Sequence, residues 1–226
     1  MEFTLLFAVL TAVAAMWGMV RLLRSRLEGI DSPIDALIGS AAIGLISGRL
    51  AAMLADGVNP LAHPLEVILV RAGVMTEVAA PVAVIALLWI WRRHLPSWAD
   101  AVTPVALAGL AGWHAGCVWR GTCLGSVSDL PWAFGIAGSD VTRHPVEIYA
   151  ALLLLAAIPL VLRIPAAPWR ATGLVIAVAG AARLVTQPLR PSLTGGPVVF
   201  YAIALVAGLA IAIAGPLLRT PQDLTA

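Results

Sequence analysis

Arg49, Glu77, His114, Cys117, Arg120, Arg143, His144, Glu147, Tyr149, Arg183, Gln187 and Arg190 lie in or beside long apolar runs. Ionisable groups in a bilayer cost several kcal/mol unless they are paired or wetted, so they mark functional sites by default. Guanidinium forks bind phosphate in bidentate fashion, and the abundant phosphate at membrane depth is the phospholipid headgroup. A carboxylate or an imidazole among them can accept a proton. Blander roles stand beside these. Arg49 and Arg183 could pair with Glu77 or Glu147 simply to hold helix register. His114 and Cys117, with Cys123 and His144 nearby, could suggest zinc, but their spacing fits no standard zinc pattern, and no metal or cofactor is expected. Cys117 and Cys123 could form a disulfide in an oxidising compartment, or be small buried apolar groups. Asp129 and Asp140 read as turn or cap residues.

The elements that carry these residues follow from composition. Of 226 residues, 61% are hydrophobic and 12% charged, against about 25% charged in soluble domains. So few charges cannot cover a soluble globule of this size, and the chain reads as an integral membrane protein. Fourteen arginines against 12 acids, with no lysine, exclude a nucleic-acid binder driven by a basic surface. Two cysteines exclude a disulfide scaffold.

Runs long enough to span occur near 3–20, 34–56, 73–91, 101–119, 146–162, 170–187 and 197–215. They predict an all-α fold of seven transmembrane helices forming a single domain over 1–226. Arg21, Arg24 and Arg26 follow the first apolar run instead of preceding it, so that run reads as a signal anchor. Arg92, Arg93, Arg163, Arg170 and Arg219 fall on the same side as these three, while Arg71, Arg120, Arg143 and Arg190 fall on the other. The positive-inside rule then predicts a periplasmic N-terminus and a cytoplasmic C-terminus. Trp89, Trp91, Trp98 and Trp169 fall at the inner boundary, as an aromatic belt would.

In this frame the longest loop, about 120–145, is periplasmic, and the polar residues from five helices share the outer leaflet. That pattern predicts a polar cavity in the outer half of the membrane. An ion channel would want polar groups through the full thickness, and no inverted repeat suggests a transporter. Gly44…Gly48, Gly112…Gly116 and Gly121…Gly125 read as small-residue spacings that let helices pack closely.

Several segments also carry a family resemblance. Gly121 to Trp132, ending Asp129-Leu130-Pro131-Trp132, and then Arg143-His144-Pro145-Val146-Glu147-Ile148-Tyr149 resemble the succession TDLPWG and RHPSQLYE of the prolipoprotein diacylglyceryl transferase family. Gly48-Arg49-Leu50 resembles that family's GRLGY segment, and Asn59-Pro60 with Leu65-Glu66 resembles its NPLEIL loop. Arg183-Leu184-Val185-Thr186-Gln187, followed by Arg190-Pro191, resembles its R-x-x-x-E-x-x-R-x-P segment. The likeness covers nearly the whole chain, and DLPW with RHP and a tyrosine is its specific part.

The departures concern central polar residues. Glu77 stands where the family has the histidine of an HGG segment, and Val78 and Ala79 replace the two glycines. His114 stands for the arginine of its R-I-G-N-F-x-N-G-E run, Cys117 and Arg120 for the asparagines, Thr122 for the glutamate, and Gln187 for the sixth-span glutamate. The resemblance implies a bacterial inner-membrane enzyme that moves the diacylglyceryl group of phosphatidylglycerol to the lipobox cysteine thiol of a pre-lipoprotein. It implies that Arg143 and Arg183 bind phosphate, with Arg49 in support and Arg190 at the rim. Glu77 or His114 would serve as base and Tyr149 would orient the headgroup or donate a proton, with His144, Glu147 and Gln187 lining the substrate site. A related transferase with another acceptor, or a lipid-binding protein without catalysis, would keep the same arginines.

Overall fold

The structure is a computed structural model that describes residues 4–217 except 31, 69–73, 93–94, 96, 122, 136–139, 166 and 191–197, with backbone alone at 4–6, 68, 76–77 and 120. Long apolar runs can satisfy their own backbone inside lipid only as helices, and the chain is accordingly mostly helical. The helices are α1 (Thr4–Leu22), α2 (Pro33–Ala55), α3 (Pro64–Ile68), α4 (Thr76–Ile90), α5 (Ser97–Ala115), α6 (Cys117–Arg120), α7 (Val146–Arg163), α8 (Arg170–Thr186) and α9 (Val198–Ala214). Among the described residues, five helical stretches are long and apolar enough to cross a membrane: Pro33–Ala55, Ser97–Trp119, Val146–Arg163, Arg170–Leu189 and Val198–Leu217. Phe7–Leu22 and Val78–Ile90 are shorter apolar helices.

The chain divides into two compact units. One comprises Met1–Glu28 and Ala99–Ala226. Its core joins α5, α7 and α8 through Leu107, Ala108, Ala111, Leu154, Ile158 and Val175. A Cβ on Gly112 or Gly116 would run into the backbone of α1, and the Thr11 hydroxyl donates to the Gly112 carbonyl at 3.1 Å. Lipid supplies no hydrophobic drive between helices, so such close backbone contact is what holds them. At the start of α5, Asp100 Oδ1 accepts from the Thr172 amide at 2.8 Å and its hydroxyl at 2.7 Å. This carboxylate satisfies donors that the first turn of α8 cannot satisfy internally.

The second unit is Gly29–Trp98. Gly44 and Gly48 of α2 face Ala79 and Ala83 of α4, and the Met75 amide donates to the Gly48 carbonyl at 3.1 Å. The first two glycine pairs therefore pack helices as expected. Of the tryptophans read as a belt, Trp89 is exposed with the Arg92 guanidinium 4.4 Å from its ring centre, whereas Trp91 is buried edge-on to Trp98.

One expectation needs correction, and it concerns the longest loop. The loop at 120–145 contains an antiparallel three-stranded sheet, β1 (Leu124–Val127), β2 (Phe134–Gly135) and β3 (Thr142–Pro145), in the order β1-β3-β2. The sheet is an addition within one loop of a mostly helical membrane fold. Gly121…Gly125 is consequently not a helix-packing pair: Gly121 ends α6 at φ +64, where a side chain would be strained, and Gly125 lies in β1.

Candidate functional site

Three helix ends converge in the first unit. His114 is in the last turn of α5, Glu147 in the first turn of α7 and Arg183 in the last turn of α8. Glu147 and Arg183 sit where the helix dipole favours their sign, an anion at an N-terminus and a cation at a C-terminus. Arg190 follows the 3₁₀ turn Gln187–Leu189 that extends α8.

Glu147 is the centre of the cluster. Its Oε2 lies 2.6 Å from His114 Nδ1, Arg183 Nη1 is 3.1 Å from both carboxylate oxygens, and Arg190 Nη2 donates to Oε1. All four side chains are largely buried, His114 and Glu147 at 8% and 15% accessibility. Arg183 Nη2 also donates to the Tyr201 hydroxyl at 3.2 Å, with its guanidinium carbon 5.2 Å from that ring's centre. Burial and the neighbouring Arg183 push the Arg190 guanidinium below its ordinary pKa, and Glu147 opposes both. Among the described residues, Gln187 Oε1 and Arg190 Nε are buried without a hydrogen-bond partner.

A second group sits on the sheet and the start of α7. Arg143 of β3 donates through Nη1 to the Gly125 carbonyl of β1 at 3.2 Å. The Tyr149 hydroxyl accepts from Trp132 Nε1 at 2.8 Å and lies 3.3 Å from His144 Nδ1. Tyr149 is two positions from Glu147 and therefore faces away from it on the helix. Gly125 brings the two groups together: a Cβ there would meet Val146 of α7 and the Leu189 carbonyl beside Arg190.

Cys117 and Cys123 form a disulfide, both buried, tying the start of α6 to the residue before β1. Their sulfurs are thereby consumed, which removes the zinc reading. The remaining expected residues belong to the second unit or lie outside the described side chains. Arg49 is buried on α2, where its Nε donates to the Glu66 carbonyl at 3.1 Å. Glu77 is in the first turn of α4, but its side chain, like that of Arg120, lies outside the described residues.

The structure thus unites His114, Glu147, Arg183 and Arg190, with Gln187 on the intervening turn. It adds Tyr201, which the sequence reading missed. The available signal was a hydroxyl-bearing ring in an otherwise apolar helix, opposite an arginine that needed a partner. Chemically, two guanidiniums against one carboxylate leave net positive charge for an anion. An imidazole whose Nδ1–H is held by a carboxylate presents its other nitrogen as a proton acceptor.

Apolar helices whose converging ends hold a buried arginine–glutamate–histidine cluster define a multi-pass membrane protein with an ionic site at one end of a helix group. Within that class, the chain belongs to the prolipoprotein diacylglyceryl transferase family, whose model matches residues 3–219. Relatives named phosphatidylglycerol–prolipoprotein diacylglyceryl transferase include one from Cupriavidus necator, 32% identical over 124 residues, covering 51% of this chain and 46% of the relative. A second, from Solidesulfovibrio magneticus, is 32% identical over 182 residues, covering 75% and 68%. A third, from Coxiella burnetii, is 35% identical over 155 residues, covering 64% and 59%. The aligned stretches thus span 46% to 68% of the length of these relatives.

Proposed function

We propose that this protein transfers the diacylglyceryl group of phosphatidylglycerol to the lipobox cysteine thiol of a pre-lipoprotein, in the bacterial inner membrane. The observation that carries this reading is Glu147 held between Arg183, Arg190 and His114. The excess positive charge suits the phosphodiester, and Arg183 and Arg190 bind it, with Arg143 in support. His114 Nε2 takes the thiol proton while Nδ1–H stays on Glu147. The sulfur forms a bond to the glycerol C3 carbon of the diacylglyceryl group, and the carbon–oxygen bond to phosphate breaks. Glycerol phosphate leaves with that electron pair, and the imidazolium returns the proton to solvent or to the leaving group. Preorganised guanidiniums stabilise the charge that collects on the departing phosphate. Tyr149, His144 and Gln187 line the headgroup site.

The same reading takes the chain as seven spans with N-terminus outside and C-terminus inside, and the site as a cavity in the outer half of the membrane. The arginine distribution supports this, as does the Cys117–Cys123 disulfide, which needs an oxidising compartment. One assay tests the function: purified protein in phosphatidylglycerol-containing detergent, given a lipobox peptide. The peptide gains the mass of one diacylglyceryl group, and H114Q lowers the rate by about a hundredfold. A peptide that stays unmodified while the protein binds phosphatidylglycerol would leave only the lipid-binding reading.

A further inference from the structure

Tyr201 carries the single polar side-chain atom of α9, a helix whose Val199, Phe200, Ile203 and Val206 are exposed. Backbone contact holds it against α8: a Cβ on Gly180 would meet the Tyr201 carbonyl at 2.7 Å and the Leu205 amide at 2.8 Å. Arg183 follows Gly180 by three residues and so shares its helix face, which brings the guanidinium to the ring. Arg183 Nη2 donates to the hydroxyl at 3.2 Å, and Tyr201 lies within electrostatic reach of Arg190. A phenol can both donate and accept, whereas a guanidinium can only donate. The phenol oxygen therefore accepts from Arg183, and the hydroxyl hydrogen can go to neither arginine. Among the described residues nothing else bonds this hydroxyl. Tyrosine hydroxyls withdrawn from water usually find a hydrogen-bond partner, and here the hydrogen is left for a ligand.

We infer that Tyr201 is a substrate-binding residue: its hydroxyl donates to a non-bridging phosphate oxygen of the anionic lipid, alongside Arg183 and Arg190. The hydrogen bond from Arg183 draws electron density from the phenol oxygen and makes its hydrogen a stronger donor, because linked hydrogen bonds polarise one another. A neutral donor suits this position. The two guanidiniums already repel each other, and a third cation would add to that, whereas a hydroxyl adds a bond without adding charge. The inference deepens the proposed function and rests on it for the identity of the lipid. The phosphate contact itself requires no transfer.

Donating to phosphate and accepting from Arg183 respond oppositely to the acidity of the phenol. Ring fluorination strengthens a phenol as donor and weakens it as acceptor. The test therefore compares the wild type, Y201F, and proteins carrying 3-fluorotyrosine or 3,5-difluorotyrosine at position 201 alone. Phosphatidylglycerol and, separately, glycerol phosphate are titrated in detergent, at a pH where absorbance shows every phenol protonated. Y201F weakens phosphatidylglycerol binding by about fivefold, the worth of one hydrogen bond. In the fluorinated proteins lipid affinity rises above wild type, more with two fluorines than with one. An affinity that falls with fluorination makes Tyr201 a strut for Arg183 alone and overturns the inference. So does an affinity that stays level across the fluorinated proteins, a Y201F protein that binds like wild type, or a gain for glycerol phosphate without one for the lipid. If the difluoro protein does not fold, Y201F and the monofluoro protein decide by the same signs. Peptide modification is followed in the same samples. A wild type that binds the lipid and leaves the peptide unmodified ends the transferase reading, while the order of lipid affinities still judges Tyr201.

Discussion

Arg183 contributes shape as well as charge. One of its terminal nitrogens bridges both oxygens of Glu147, and the other reaches the Tyr201 hydroxyl. A lysine has one compact head and cannot serve both partners while presenting a flat face to phosphate. R183K should therefore raise KM for phosphatidylglycerol by about tenfold at unchanged net charge, and Y201F should do so less. Steady-state kinetics at fixed peptide checks both, and an R183K protein with wild-type KM would make this arginine a helix tie alone. His114, Glu147 and Arg183 were legible because ionisable groups in apolar runs demand a reason. Tyr201 was not, since a tyrosine in a membrane helix is ordinary until its partner is known.

At the scale of elements, the β1-β3-β2 sheet is the part sequence reading did not foresee. Strands of two and four residues are too short for alternation to register. The sheet nevertheless links the two polar groups, because Gly125 lets β1 lie against α7 and the turn that leads to Arg190. The disulfide anchors the same strand from its other end. A methyl at Gly125 meets backbone, the Leu189 carbonyl, which cannot rotate away. G125A should lower stability by about 2 kcal/mol, the cost of overpacking a close contact, and weaken lipid binding through Arg190. Thermal unfolding in detergent with a parallel binding titration measures both effects. An alanine variant as stable as the parent would mean that β1 and the turn are not in contact.

For the whole molecule, the decisive asymmetry is that of the arginines. Arg21, Arg24 and Arg26 against Arg143 and Arg190 predict opposite sides for residues 21–28 and 124–145. Reporter fusions should be active as cytoplasmic probes after Glu28 and Pro165, and as exported probes after Asp129. An exported signal after Glu28 would invert the orientation and put the Glu147 cluster in the cytoplasmic leaflet.

Composition and run length alone determined that this is a multi-pass helical membrane protein, because a chain with so few charges has no other solvent to fold in. Motif order alone pointed to the family, and the cost of buried charge put His114, Glu147, Arg183 and Arg190 among a longer set of candidates that also held Arg49, Glu77, Arg143 and Tyr149. Sequence could not say which acid pairs with which base, since that depends on which helix ends meet. Only the tertiary structure decided that Glu147 serves both arginines and the histidine, that the cysteines bond to each other, and that a small sheet joins Arg143 to the cluster. Such partners are set by contacts across more than thirty residues of sequence, between His114 and Glu147 or between Glu147 and Arg183. Local pattern carries no information about them.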